Sequence, residues 1–169
     1  MSEADYLEAF RSEQASLGAQ LPEWAMALRL SALGRFERAG FPDPRHEEWR
    51  YTNIRPIVKQ AFRPVGDALA PLEVKVLNRH RLGVDASVEL VFVNGRLHSG
   101  LSQLQGLPEG AVVEDLATAL RDHSEALRPL LGQIADDRDS SFVALSTAFL
   151  RDGVFIGLAP GCVLERPIK

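Results

Sequence analysis

An α+β fold is predicted for this chain by three features of its sequence. Two helix-period stretches open it, each closed by a glycine. An Asn-Gly pair, Asn94-Gly95, sits between apolar runs in the middle. Residues 139–169 then pass from helical to strand periodicity around two tight turns. The expected order is a helical hairpin, a small β-sheet with helices, and a set of terminal strands that want further strands beside them. By region this gives 1–62 as helical, 63–138 as a small mixed α/β region, and 139–169 as the start of a β core.

Ser2 is placed to cap the first helix, which runs to Leu17 with Tyr6, Leu7, Phe10 and Leu17 as its apolar stripe. Gly18 ends it. Pro22, whose missing N–H costs nothing at a first helical position, starts the second. Trp24, Leu28, Ala32 and Phe36 step by four along it, Gly40 closes it, and Pro42 blocks continuation. Phe41 to Pro56 reads as a loop, because Pro42 and Pro44 push their predecessors out of the helical region. Trp49 and Tyr51 would share a face in extended chain. The loop is either an exposed recognition element or one pinned to the core by its aromatics. Burial of large aromatics favours the second, with Arg45, Glu47, Glu48 and Arg50 solvated. Ile54 to Phe62 reads as a short helix around Pro56, and Arg63 to Pro71 as a linker.

Asn94-Gly95 predicts a type I′ hairpin within Val88–His98. Leu72–Leu77 and Ala111–Val113 are expected to add strands to one small sheet. Glu114 to Ala135 reads as helical, with Leu116, Leu120 and Leu127 on one side and a break near Pro129 or Gly132. Asp139 or Ser140 is the expected N-cap of a helix carrying Phe142, Leu145 and Phe149. Asp152-Gly153 predicts a turn with glycine at positive φ. Val154, Ile156 and Leu158 alternate as a strand, Pro160-Gly161 fits a type II turn, and Cys162–Ile168 reads as the next strand. Two such strands alone are marginal. They are expected to be mobile or paired with another copy, which leaves edge-strand self-association open.

Composition narrows the function. A net charge of −4 lacks the basic footprint of a general nucleic-acid binder. No stretch approaches a membrane span, no secretory signal is expected at the N-terminus, and one cysteine fits a reducing cytosol. His46, His80, His98 and His123 have no second ligand at a recognised metal spacing. Cys162 is alone, and one thiolate does not hold a cluster, so a small buried strand residue is the expectation. Asp136, Asp137 and Asp139 lack the glycine and terminal glutamate of a calcium loop. Glu47 and Glu48 are adjacent, which points them apart in extended chain. Neither a P-loop nor a nucleophile elbow is present. No catalytic, cofactor-binding or metal residue is assigned, and the chain is expected not to be an enzyme.

Two stretches carry a resemblance. Phe142 to Ile168, with the run Leu145-Ser146-Thr147-Ala148-Phe149-Leu150-Arg151-Asp152-Gly153, resembles the entry to the core of the SufB/SufD family of iron–sulfur cluster assembly proteins. Pro42-Asp43-Pro44-Arg45-His46-Glu47-Glu48-Trp49-Arg50-Tyr51-Thr52, about ninety residues upstream, resembles the "P..R.E.W+YT" segment near the start of the family's SufD branch. The resemblance implies that 139–169 begins a right-handed parallel β-helix whose remainder lies outside this sequence. It implies a cytoplasmic, non-catalytic scaffold that acts with SufB and the ATPase SufC through the full-length protein. Clusters and ATP would be handled on other subunits or regions, so no cofactor is expected in this chain. Readings from other classes are the N-terminal domain of a β-solenoid acyltransferase, or a stand-alone interaction module using the edge at Val163–Ile168.

Overall fold

A computed structural model of the chain describes residues 3–17, 21–60, 62, 72–81, 83, 85–86, 88–104, 106–136, 138 and 140–169. The Ser2 cap, the Gly18 stop, the Arg63–Pro71 linker, Asp137 and Asp139 lie outside them. The elements run α1 (Glu3–Leu17), α2 (Glu23–Ala39), a 3-10 turn (Glu47–Trp49), α3 (Arg55–Val58), α4 (Val74–His80), β1 (Phe92–Val93), β2 (Arg96–Leu97), β3 (Ala111–Asp115), α5 (Leu116–Asp122), α6 (Ser124–Leu127), α7 (Ser141–Ala148) and β4 (Val154–Leu158). They fall into two compact units that interleave along the chain. One takes Met1–Pro64 and Leu120–Leu150, the other Val65–Ala119 and Arg151–Lys169.

The first unit is helical. α2 is its centre, and α7 is its main partner. Phe10 of α1, Ala32 of α2 and Ala148 of α7 are fully buried together, with Leu33 and Phe149 packed against them. Phe10 meets Phe149 edge-on, ring centroids 5.8 Å apart, and Tyr6 meets Phe36 at 6.3 Å. α1 and α2 do meet, as the hairpin expectation has it. The buried line on α2 differs from the one the sequence suggested: it is Ala25, Arg29, Ala32 and Phe36. A strict step of four drifts by about 40° each time on a helix of 3.6 residues per turn. Trp24 and Leu28 are therefore carried to the flank, while the 4-3-4 spacing stays in line. Trp24 still finds a partner, its Nε1 donating to Ser124 Oγ at 2.8 Å. Pro22 stands one place before the helix, as N-cap residue.

The predicted helix over Glu114–Ala135 is shorter and broken elsewhere. Glu114 and Asp115 belong to β3, and the break comes at His123, between α5 and α6. Asp115 caps α5, its Oδ1 accepting the Thr118 N–H at 2.9 Å and its Oδ2 the Thr118 hydroxyl at 2.7 Å. Leu116, Leu120 and Leu127 are buried as expected. So is the short helix around Pro56, present as α3.

The second unit carries two separate two-stranded antiparallel sheets rather than one small sheet, β1–β2 and β3–β4. Asn94 and Gly95 turn β1 into β2 with φ of 53° and 80°, the pair of positive values a type I′ turn requires. β3 and β4 pair from Ala111↔Leu158 to Asp115↔Val154. The strand expected at Leu72–Leu77 is instead helix α4, its first turn made by the Val76 and Leu77 amides on the Glu73 carbonyl. The Val74/Val76 alternation needs a partner strand to become a ladder, and none pairs there among the described residues. Arg79 and His80 in its last turn suit the negative helix end.

The terminal segment departs most from expectation. Gly153 is not at positive φ; its N–H instead bonds to Asp152 Oδ1 at 2.8 Å. Asp152 Oδ2 accepts the Leu97 N–H at 3.1 Å. Pro160-Gly161 does form the expected turn: Cys162 N donates to Ala159 O at 2.9 Å, with Gly161 at φ 82°. Cys162–Ile168 is not a strand. It runs irregularly until Ile168, which bridges Val88 in parallel. The terminal residues thus pair within the chain: β4 on β3, and Ile168 on Val88.

A candidate cleft built by two distant segments

The helical unit brings the two family-like stretches together. Phe142, on the first turn of α7, receives Trp49 at 5.4 Å and Phe41 at 5.9 Å between ring centroids. Phe41 also contacts Phe36 at 5.2 Å and Tyr6 at 5.6 Å, so one aromatic chain runs from α1 to the loop to α7. The same burial pushes the Tyr6 phenol above its ordinary pKa. Trp49 reaches Phe142 because Glu47–Trp49 coils into a 3-10 turn, the Trp49 amide bonding to His46 O and the Arg50 amide to Glu47 O. That turn also separates Trp49 from Tyr51. Trp49 is half-buried, while Tyr51 is 90% exposed with the Arg50 guanidinium 5.6 Å from its ring centroid. The expected shared face therefore does not form. One aromatic pins the loop and the other stands in solvent.

Beside this contact lies an open cleft of about 950 Å³. Arg35 and Arg38 of α2 form one wall, Asp43 and residues 45–49 another, and Arg138, Ser140 and Ser141 a third. Two of its cations, Arg45 and Arg138, are paired within the chain. Arg45 Nη2 donates to Asp43 Oδ2 at 2.7 Å, and the Arg45 N–H donates to Asp43 Oδ1 at 2.8 Å. The side-chain bond, then the backbone one, hold the Asp43 carboxyl down at about 2. Arg138 grips Asp136 through Nε and Nη2, the shortest contact being 2.6 Å, and lowers it likewise to about 2. The second is a fork-type guanidinium–carboxylate pair, whereas the first joins one guanidinium bond to one backbone bond. Ser140 caps α7, its Oγ accepting the Val143 N–H at 3.4 Å. A cleft of this kind suits recognition of a polar surface. Among the described residues that line it, no serine is hydrogen-bonded to a histidine or carboxylate.

The other candidate residues are dispersed. His46 lies on the cleft wall, His80 ends α4, His98 follows β2, and His123 separates α5 from α6. Cys162 is a free, partly buried thiol at the end of a turn rather than in a strand. Glu47 and Glu48 are exposed in the 3-10 turn. Among the described residues, no three His, Cys, Asp or Glu side chains converge as a metal site. Among the described residues, no helix is long and apolar enough to cross a membrane.

Sequence reasoning missed Arg29. It is fully buried in α2, donates from Nε to the Ala148 carbonyl at 2.8 Å, and lies over the Phe10 ring at 5.2 Å. Arginine is rarely buried, so apolar periodicity does not single it out. The one available signal was its place in the 4-3-4 stripe.

Comparison with known proteins gives a consistent result. The family model described as the SufBD protein N-terminal region matches residues 1–169. An iron–sulfur cluster assembly SufBD family protein of Mycobacterium bovis is 25% identical over 167 residues, covering 88% of this chain and 19% of that protein. A counterpart in Mycobacterium tuberculosis gives the same figures, 25% identity over 88% of this chain and 19% of its own length. A Synechocystis protein of the same description is 27% identical over 127 residues, 75% of this chain and 27% of its own length. The chain thus spans 19–27% of the length of these relatives.

Proposed function

The chain belongs to the SufBD family, and on that basis we propose that it is the N-terminal part of a non-catalytic scaffold subunit of the SufD type, serving iron–sulfur cluster assembly. The observation that carries this is the family match over the whole of residues 1–169. The contact of Trp49 with Phe142 supports it, because the loop and the helix that bear the resemblance are built as one structure.

In this reading the chain works in the cytoplasm beside a SufB-type subunit and the ATPase SufC. ATP hydrolysis and cluster chemistry belong to other subunits or to regions outside these residues. The chain itself contributes shape and holds no cofactor. A parallel β-helix following the terminal strands would extend the pairing begun at Val88 and Ile168.

The test is capture of the native gene product from its own cells, with intact mass measured and partners identified in the same run. Recovery with an ATPase and a second SufBD protein is the expected result. Recovery alone would overturn the scaffold reading. Residues 1–169 by themselves are expected to bind SufC poorly, since SufC is expected to dock on a part of the protein outside them. Strong SufC capture by this chain would count against that assignment.

A further inference from the structure

All the named strand pairs are antiparallel, and the Asn94-Gly95 turn sets one of their registers directly. The pairing of Ile168 with Val88 is parallel. No tight turn can fix the register of a parallel pair, because its strands are joined by a long connection. Something else must choose it.

Val88 and Glu89 are 1% and 9% exposed. The Glu89 backbone faces Gln103, with bonds of 2.9 and 2.8 Å in both directions. The backbones of Val88 and Leu90 face the other way. Val88 O accepts the Lys169 N–H at 3.0 Å, and the Leu90 N–H donates to Lys169 O at 2.7 Å. The Glu89 carboxylate then meets Arg81 Nε at 3.1 Å and Lys169 Nζ at 3.7 Å. Its side chain is only 11% exposed. A slip of one residue would turn Lys169 to the opposite face and take its charge away from a nearly buried carboxylate.

We propose that Val88–Leu90 is a register template for parallel strand entry, and that Glu89 is its positioning residue, selecting the register by pairing with Lys169 while Arg81 holds it from the other side. The readout is backbone protection in this chain alone, so its failure would leave the assembly role untouched, and the reverse also holds.

Amide hydrogen exchange on the 169-residue chain tests this. Protection is expected at Leu90 and Lys169. Glu89→Gln should lower it about tenfold at those two amides, the scale of a partly buried ion pair, and leave the β3–β4 ladder unchanged. Leu90→Pro removes only the donor to Lys169 O, so Lys169 should lose protection while Gln103, bonded to Glu89 O, keeps it. Unprotected Leu90 and Lys169 in the parent chain would overturn the proposal. So would a Glu89→Gln variant that changes neither amide, or that weakens every ladder equally.

Discussion

Arg29 shows how one side chain can hold three helices. Its Nε satisfies the Ala148 carbonyl, one of the acceptors that the end of α7 leaves without an intrahelical partner. Its guanidinium carbon lies over the Phe10 ring of α1, and its stem fills the α2 stripe. Arg29→Ala is therefore expected to cost about 3 kcal/mol in urea unfolding, from cavity, lost cap and lost stacking together. Arg29→Lys keeps the charge and loses the Nε donor to Ala148, and should cost about 1–2 kcal/mol. A loss under about 0.5 kcal/mol for the alanine variant would place Arg29 among ordinary surface residues. The aromatic loop should split in the same assay. Trp49→Ala is expected to cost about 2 kcal/mol through its Phe142 contact, while Tyr51→Ala stays within about 0.5 kcal/mol. Asp43 and Asp136 give a pH signature. Their folded pKa values, about 2, lie below the ordinary 3.8 that the unfolded chain would show. Their stabilising contribution is complete above the unfolded value and disappears as pH falls through about 2. In an NMR titration, Arg45→Gln should return Asp43 towards 3.8; an unchanged midpoint would refute the pairing.

Among the elements, those with local determinants were legible and those with remote ones were not. α2, the Asn94-Gly95 hairpin, α7 with its Ser140 cap, and the Pro160-Gly161 turn each follow from neighbouring residues. Gly161 gives a clean test of that logic. A Cβ there meets nothing within 4 Å, so Gly161→Ala should cost about 1 kcal/mol from its φ of 82° alone. A neutral substitution would mean that the turn relaxes into another type. Leu72–Leu77 failed because valine alternation states a preference that only a neighbouring strand can satisfy. Cys162–Ile168 failed because Val88, the residue that bridges it among the described residues, lies 80 positions away and pairs with Ile168 at its end. The cleft was half legible. Pro42–Thr52 stood out as a motif, yet nothing in its own residues says that Phe142 receives Trp49.

At the scale of the whole molecule, the helical unit is assembled from two pieces of chain. Residues 1–64 supply Phe10, Ala32 and Phe36. Residues 120–150 return to supply Phe142, Ala144, Ala148 and Phe149. The first piece carries α1 and α2, and by length alone would pass for a helical hairpin able to stand by itself. Its apolar stripe argues otherwise. α2 packs chiefly on α7, and Arg29 would lose the Ala148 carbonyl while remaining inside an apolar stripe. Without α7 the apolar stripe that packs on it is left open to water. A chain of residues 1–64 is thus expected to show weak helical circular dichroism, to bind a hydrophobic dye, and to melt without a cooperative transition. Adding residues 120–150 as a separate peptide should restore helicity and suppress dye binding. Cooperative melting of 1–64 alone would mean that the α1–α2 contact is sufficient, and that α7 docks on a preformed surface instead of completing the core.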